Sequence, residues 1–171
     1  MHRRVFEQVA LAGALLFAGC SRSAATVTFE PLSYAQWTER LDGLKGQIVV
    51  ADLWATWCSP CLERFPHMVE MSRRYEERGV TFVSISLDNR EDRRAVEAAR
   101  AFVVKQHATF RNYLLDENIL RGFEKLDIVA VPAVLVYDRS GRRRYKLTGD
   151  DPNKQFTEKD VEAAVTALLG E

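Results

Sequence analysis

Cys58 and Cys61 enclose Ser59 and Pro60 to form a Cys-x-x-Cys pair, close behind the apolar run Ile48-Val49-Val50-Ala51-Asp52-Leu53-Trp54. Two thiols at this spacing, at a strand-to-helix junction, lie one helical turn apart. They can close a disulfide and so form a reversible two-electron couple. A helix N-terminus carries partial positive charge, which biases the first thiol toward thiolate. Pro60 suits the first turn because its missing N–H would have no partner there. Ser59 and Pro60 therefore start the helix and are the positions expected to tune the couple.

Three further features fit the same site. Asp52 stands in the middle of the apolar run, six residues before Cys58. A carboxylate there is costly, and burial should raise its pKa. Such an acid could take a proton from Cys61 and return it, the alternative being a strand-end aspartate that reaches solvent or a backbone N–H. Val131-Pro132 precedes the apolar stretch Ala133-Val134-Leu135-Val136-Tyr137. Proline at a strand's first residue has an ordinary structural reading, and a cis peptide is the sharper one. A bend at that point would leave a backbone edge free to pair with an extended substrate. Trp57, beside the first thiol, could shield one side of the disulfide, whereas Trp54 reads as core. His67 and His107 are expected at the surface, and no zinc site or other cofactor is expected, since one Cys-x-x-Cys supplies only two of four ligands.

The elements that must position these residues follow from periodicity. Thr26 to Glu30 reads as a short edge strand and Ser33 to Leu44 as a helix capped by Ser33. Gln47 to Trp54 reads as a strand covered on both faces. The helix that follows runs from about Pro60 to Arg78, stops at Gly79, buries Leu62, Phe65, Val69 and Tyr75, and should kink at Pro66. Val80 to Leu87 is a strand, with Asp88-Asn89 as its exit and the cap of a helix over Glu91 to Gln106. Thr109 to Leu115 reads as extended and Glu117 to Leu126 as helical. Val131 to Asp138 and Arg142 to Leu147 are strands joined by the hairpin Arg139-Ser140-Gly141. Thr157 to Leu169 is a closing amphipathic helix. This alternation predicts an α/β protein with a central mixed sheet flanked by helices.

Residues 1–20 have the layout of an export signal: a basic start at Arg3 and Arg4, then an apolar stretch ending in small residues before Cys20. Leu15-Leu16-Phe17-Ala18-Gly19-Cys20 resembles a bacterial lipoprotein signal, which implies lipidation of Cys20. Residues 21–26 then read as a short tether and 27–171 as one domain. The chain has three cysteines, so a modified Cys20 leaves Cys58 and Cys61 as the whole thiol inventory. With 24 basic and 24 acidic side chains, composition makes no case for nucleic acid. The densest basic cluster, Arg142-Arg143-Arg144, reads as a solvated edge.

The run Asp52-Leu53-Trp54-Ala55-Thr56-Trp57-Cys58-Ser59-Pro60-Cys61, with Pro66 behind it and Val131-Pro132 about 70 residues further on, resembles thioredoxin. The export-type start and the long segment between residues 88 and 130 resemble the membrane-tethered TlpA/ResA-type thiol-disulfide reductases. The resemblance spans residues 27 to 169. It implies a thioredoxin-like fold with an inserted helical and strand segment before a cis-proline strand, Cys58 as nucleophile, Cys61 as resolving thiol, Asp52 as buried acid and Pro132 as the cis-proline. Gly149 matches a family glycine that lets backbone pass close to the site. One departure stands out: that group carries a glutamate three residues after the second cysteine, where this chain has Arg64. Glu63 is adjacent but turned by ~100° on a helix, so Asp52 is left to supply the acid alone.

The resemblance implies an envelope-located, membrane-anchored monomer that reduces protein disulfides, apocytochrome c-like ones included, and is recharged by an upstream membrane electron donor. A disulfide oxidase or isomerase uses the same atoms. A copper-handling thiol module is a weaker alternative, and a peroxidase is disfavoured by Ala51 and Ala55, which stand where that site needs proline and threonine.

Overall fold

The computed structural model describes residues 26–151, 153 and 155–171. Cys20, the export signal and all of the tether but residue 26 lie outside the described residues. Among those described, strands and helices alternate as the periodicity requires. They are β1 (Glu30–Leu32), α1 (Tyr34–Asp42), β2 (Ile48–Trp54), α2 (Ser59–Tyr75), β3 (Val80–Ser86), α3 (Arg93–Lys105), β4 (Arg111–Leu115), α4 (Ile119–Leu126), β5 (Ala133–Tyr137), β6 (Arg143–Thr148) and α5 (Glu158–Leu169).

The six strands form one mixed sheet in the order β1-β4-β3-β2-β5-β6. Parallel pairing joins β1, β4, β3 and β2, and β5 alone runs opposite to its two neighbours. All seven residues of β2 are buried, as a central strand covered on both faces must be. Its side chains alternate between layers. Val49, Ala51 and Leu53 pack with Trp37 of α1 and Leu126 of α4. Ile48 and Val50 pack on the other face with Met68 of α2 and Val165 of α5. Period two places Asp52 on this second face, toward α2.

Local chemistry sets the helix ends. Ser33 caps α1 in a reciprocal box with Gln36, and Thr157 and Asp160 do the same for α5. A 3₁₀ turn, Glu76–Arg78, follows α2 and ends at Gly79, whose φ of 74° lies in the left-handed region that glycine adopts freely.

The structure moves four expectations. The edge strand lies at Glu30–Leu32 instead of Thr26 to Glu30, because its place is set by pairing with Tyr113, Leu114 and Leu115 of β4. The cap of α3 is Asp92, whose carboxylate accepts from the Arg94 and Ala95 N–H groups, and Asp88 is turned inward. Leu62 is half-buried, while Arg64 joins the buried side of α2. Strand pairing of β5 starts at Ala133, so Val131 and Pro132 lie just ahead of it.

Candidate active site

β2 ends at Trp54, and a short turn, closed by the Cys58 N–H donating to the Ala55 carbonyl at 3.1 Å, leads into α2. Cys58 is the N-cap of that helix and makes no side-chain capping bond. The N-cap residue stands beside the unpaired amides of the first turn, a placement that in general favours thiolate. Cys58 and Cys61 are disulfide-bonded, with Cα atoms 5.3 Å apart. Cys58 is 5% exposed and Cys61 is fully buried. An incoming group can therefore reach only the first sulfur. Ser59 and Pro60 between them are exposed.

The turn before Cys58 is held from β3. The Thr56 N–H donates to both carboxylate oxygens of Asp88, at 3.2 and 3.1 Å, and the Thr56 hydroxyl donates at 2.5 Å. The Ser86 hydroxyl adds a further bond to Asp88 at 2.7 Å. Asp88 is 3% exposed. Its charge is thus compensated by three donors, and the chain entering the redox pair is anchored to the sheet.

Asp52 is 1% exposed and lies between Ser84 of β3 and Val134 of β5. It is not alone. Nη2 of Arg64, a buried residue one turn beyond Cys61, donates to Asp52 Oδ1. Burial pushes the Asp52 carboxyl up from its ordinary value, and the Arg64 charge and hydrogen bond pull part of the way back. Asp52 Oδ2 and Arg64 Nε have no protein partner. Asp52, the one acid expected at the site, thus also has a buried partner, a contact not foreseen from the sequence. The very residue that departs from the family pattern neutralises it, because an arginine on the buried side of α2 meets the carboxylate on the facing strand.

The Val131–Pro132 peptide is cis. The Pro132 carbonyl accepts from the Gly149 N–H at 2.9 Å, and a Cβ at Gly149 would stand 3.1 Å from the proline ring. The close approach expected at Gly149 is thus present. Trp57 is 57% exposed beside the disulfide, whereas Trp54 is fully buried. Trp54 packs with Phe65 and Phe102, at centroid distances of 5.2 and 5.1 Å, in the cluster that also holds both cysteines. A cleft of about 300 Å³ opens between Pro60 and Pro132, walled by Arg64 and Phe156. His67 and His107 are exposed.

The structure thus brings Cys58, Cys61, Asp52, Trp57, Pro60 and Pro132 to one end of the sheet. Sequence reasoning missed Asp88, the pairing by Arg64 and the Phe156 wall. Two signals pointed to them. Ser84, Ser86 and Asp88 share a period of two on the strand beside β2, and Arg64 falls next to Phe65 within the buried stripe of α2.

A mixed sheet with a disulfide at the strand-to-helix junction and a cis-proline opposite defines a thioredoxin-like protein. Residues 35–165 match the Redoxin family, and the chain belongs to it. It is 28% identical over 116 residues to the thiol-disulfide oxidoreductase ResA of Bacillus cereus, covering 68% of this chain and 63% of that protein. With ResA of Oceanobacillus iheyensis the identity is 43% over 56 residues, 33% of this chain and 29% of the relative. The chain therefore spans less than two thirds of these curated relatives. Among solved structures, the thioredoxin domain of a Bacteroides vulgatus thiol-disulfide oxidoreductase matches with a TM-score of 0.57 at 26% identity, covering 73% of this chain and 84% of that one. A thiol:disulfide interchange protein from Chlorobium tepidum matches with a TM-score of 0.61 at 24% identity, covering 74% and 83%.

Proposed function

We propose that this protein is a thiol-disulfide oxidoreductase that works outside the cytoplasm, held at the membrane by a lipid on Cys20, and reduces disulfides of exported proteins. The observation that carries the reading is the asymmetric couple at the start of α2, with Cys58 reachable at the N-cap and Cys61 sealed beneath it. In the reduced protein, Cys58 thiolate attacks a substrate disulfide, forms a mixed disulfide and expels one substrate thiolate. Cys61 then yields its proton to Asp52 and attacks the Cys58 sulfur. The second substrate thiolate leaves, Asp52 gives its proton back to one substrate thiolate, and solvent supplies the proton for the other. The substrate gains two electrons and two protons, and the Cys58–Cys61 disulfide is left for an upstream dithiol donor to reduce. Val131 and Pro132 lie ahead of the β5 ladder, which supports their role as the edge on which an extended substrate docks. Trp57 supplies the adjoining apolar surface. Among the described residues no helix is long and apolar enough to cross a membrane.

The test is the midpoint potential of the couple together with dithiol-driven reduction of insulin disulfides. A reductase is expected near the thioredoxin value of roughly −270 mV, and a value near roughly −120 mV would make the protein an oxidase instead. Cys61→Ser should trap a mixed disulfide through Cys58, while Cys58→Ser should trap none.

A further inference from the structure

Arg64 belongs at once to the acid beneath the disulfide and to the cleft beside it. Its guanidinium donates to Asp52 Oδ1, and its Cζ lies 4.5 Å over the Phe156 ring. It is 8% exposed, yet it walls the cleft between Pro60 and Pro132. Arg64 follows Cys61 by three residues on α2, so both side chains project to the same side of the helix. Asp52 has one oxygen engaged by Arg64 and one, Oδ2, without a protein partner. A planar guanidinium held on one side by an aromatic ring has little freedom to swing away, and it stays charged throughout the working range.

We propose that Arg64 is the positioning residue of the proton-transfer step: it clamps Asp52 through Oδ1, leaves Oδ2 as the oxygen that accepts the Cys61 proton, and offsets the carboxylate charge beside the departing thiolate. The proposal rests on the reading of Asp52 as the acid that serves Cys61. When Cys61 attacks the mixed disulfide, its proton passes to Oδ2, its sulfur forms a bond to the Cys58 sulfur, and the bond from Cys58 to substrate breaks. The electron pair leaves with the substrate thiolate. Arg64 keeps its own protons throughout. Without its charge, ionised Asp52 would sit next to an emerging thiolate in a water-poor pocket, and both groups would hold their protons more tightly.

Other ionisable groups face the pair more remotely. Cys61 lies one turn back on α2, Glu63 and His67 of the same helix line the cleft, and Glu158 of α5 stands across it. From the sheet, Ser84 and Val134 flank Asp52 and bring no charge. Glu63 and His67 are exposed, whereas Arg64 is buried and in direct contact with Asp52.

The experiment follows the Asp52 carboxyl directly, by carbon NMR of the intact oxidised chain, in wild type, Arg64→Gln and Arg64→Lys. The Gln variant should raise the Asp52 midpoint by about one pH unit or more, a tenfold change in proton affinity. The Lys variant should restore most of the shift, and thermal melts of both variants verify that they are folded. In the reduced proteins, thiolate absorbance against pH should show Cys61 ionising at higher pH in Arg64→Gln, and this difference should disappear in an Asp52→Asn background. An unchanged Asp52 midpoint in Arg64→Gln would overturn the proposal, as would a thiol shift that survives without Asp52. Neither readout needs a protein substrate. A protein that fails to reduce insulin but shows these shifts overturns the proposed activity and leaves the Arg64 role standing.

Discussion

Asp52 is a carboxylate placed where water cannot reach it, and its use depends on which proton it holds at working pH. Burial raises its folded-state pKa above 3.8, with Arg64 pulling in the other direction. A raised acid contributes stability in full below its unfolded pKa, and that contribution is lost as pH rises through the folded value. Asparagine cannot ionise, and the cost of leaving Arg64 unpaired is constant because arginine stays charged. Wild type is therefore expected to lose thermal stability relative to Asp52→Asn as pH rises from about 4 toward neutrality. A difference between the two melting temperatures that stays flat with pH would show that Asp52 does not titrate there. Resolution of the mixed disulfide in Asp52→Asn should slow by about 10²-fold, the usual weight of a positioned acid–base group, as read by quenched single-turnover assays. Asp88 differs in kind. Four hydrogen bonds tie it to Thr56 and Ser86, so it shapes the turn that delivers Cys58.

At the scale of elements, the site is the meeting of the start of α2 with the two chain segments that flank Pro132. The segment after β6 passes so near that a Cβ at Gly149 would stand 3.1 Å from the proline ring, which would have to yield by a few tenths of an ångström. Gly149 is not in the left-handed region, so substitution there tests contact alone. In Gly149→Ala the Gln155 side chain can swing aside, but Pro132 is held in the chain and must shift. This is an overpacking change of about 1–3 kcal/mol. A several-fold rise in KM for a protein disulfide, with little change in reduction by a small dithiol, is the expected result. Equal effects on both substrates would mean that Pro132 does not dock protein chains.

At the scale of the whole molecule, an aromatic cluster joins α3 and the chain before β4 to the redox helix. Phe65 of α2 is fully buried and meets Trp54 of β2 at 5.2 Å, Phe102 of α3 at 5.0 Å and Phe110 before β4 at 6.1 Å. Phe65→Ala should cost about 3–5 kcal/mol in urea denaturation, because a ring shared by four elements leaves a cavity that cannot close from one side. A loss below about 1 kcal/mol would mean that the insertion does not need this contact. The basic edge at Arg142-Arg143-Arg144 is tied down electrostatically: Arg143 pairs with Asp127, and Arg144 with Asp138 and Glu171. The Arg143–Asp127 and Arg144–Glu171 pairs are solvent-accessible and should weaken with salt, whereas Asp138 is buried.

Local chemistry made much of this protein readable in one dimension. Cys58, Ser59, Pro60 and Cys61 declare a redox helix start because capping, proline tolerance and thiol spacing act within one turn. Continuous apolarity declares β2 central, and a lone carboxylate within it marks Asp52 as a residue with a task. Long-range partners were not readable in the same way. Asp52 meets Arg64 across 12 residues and Asp88 meets Thr56 across 32. Phe156 reaches Arg64 from beyond β6. A sequence specifies that a buried charge needs a counter-charge. Which one it finds depends on how strand and helix are rotated and spaced when they pack, and only the tertiary structure decides that. For this reason Arg64, a departure from the family motif in the sequence, is in the folded protein the partner of the buried Asp52.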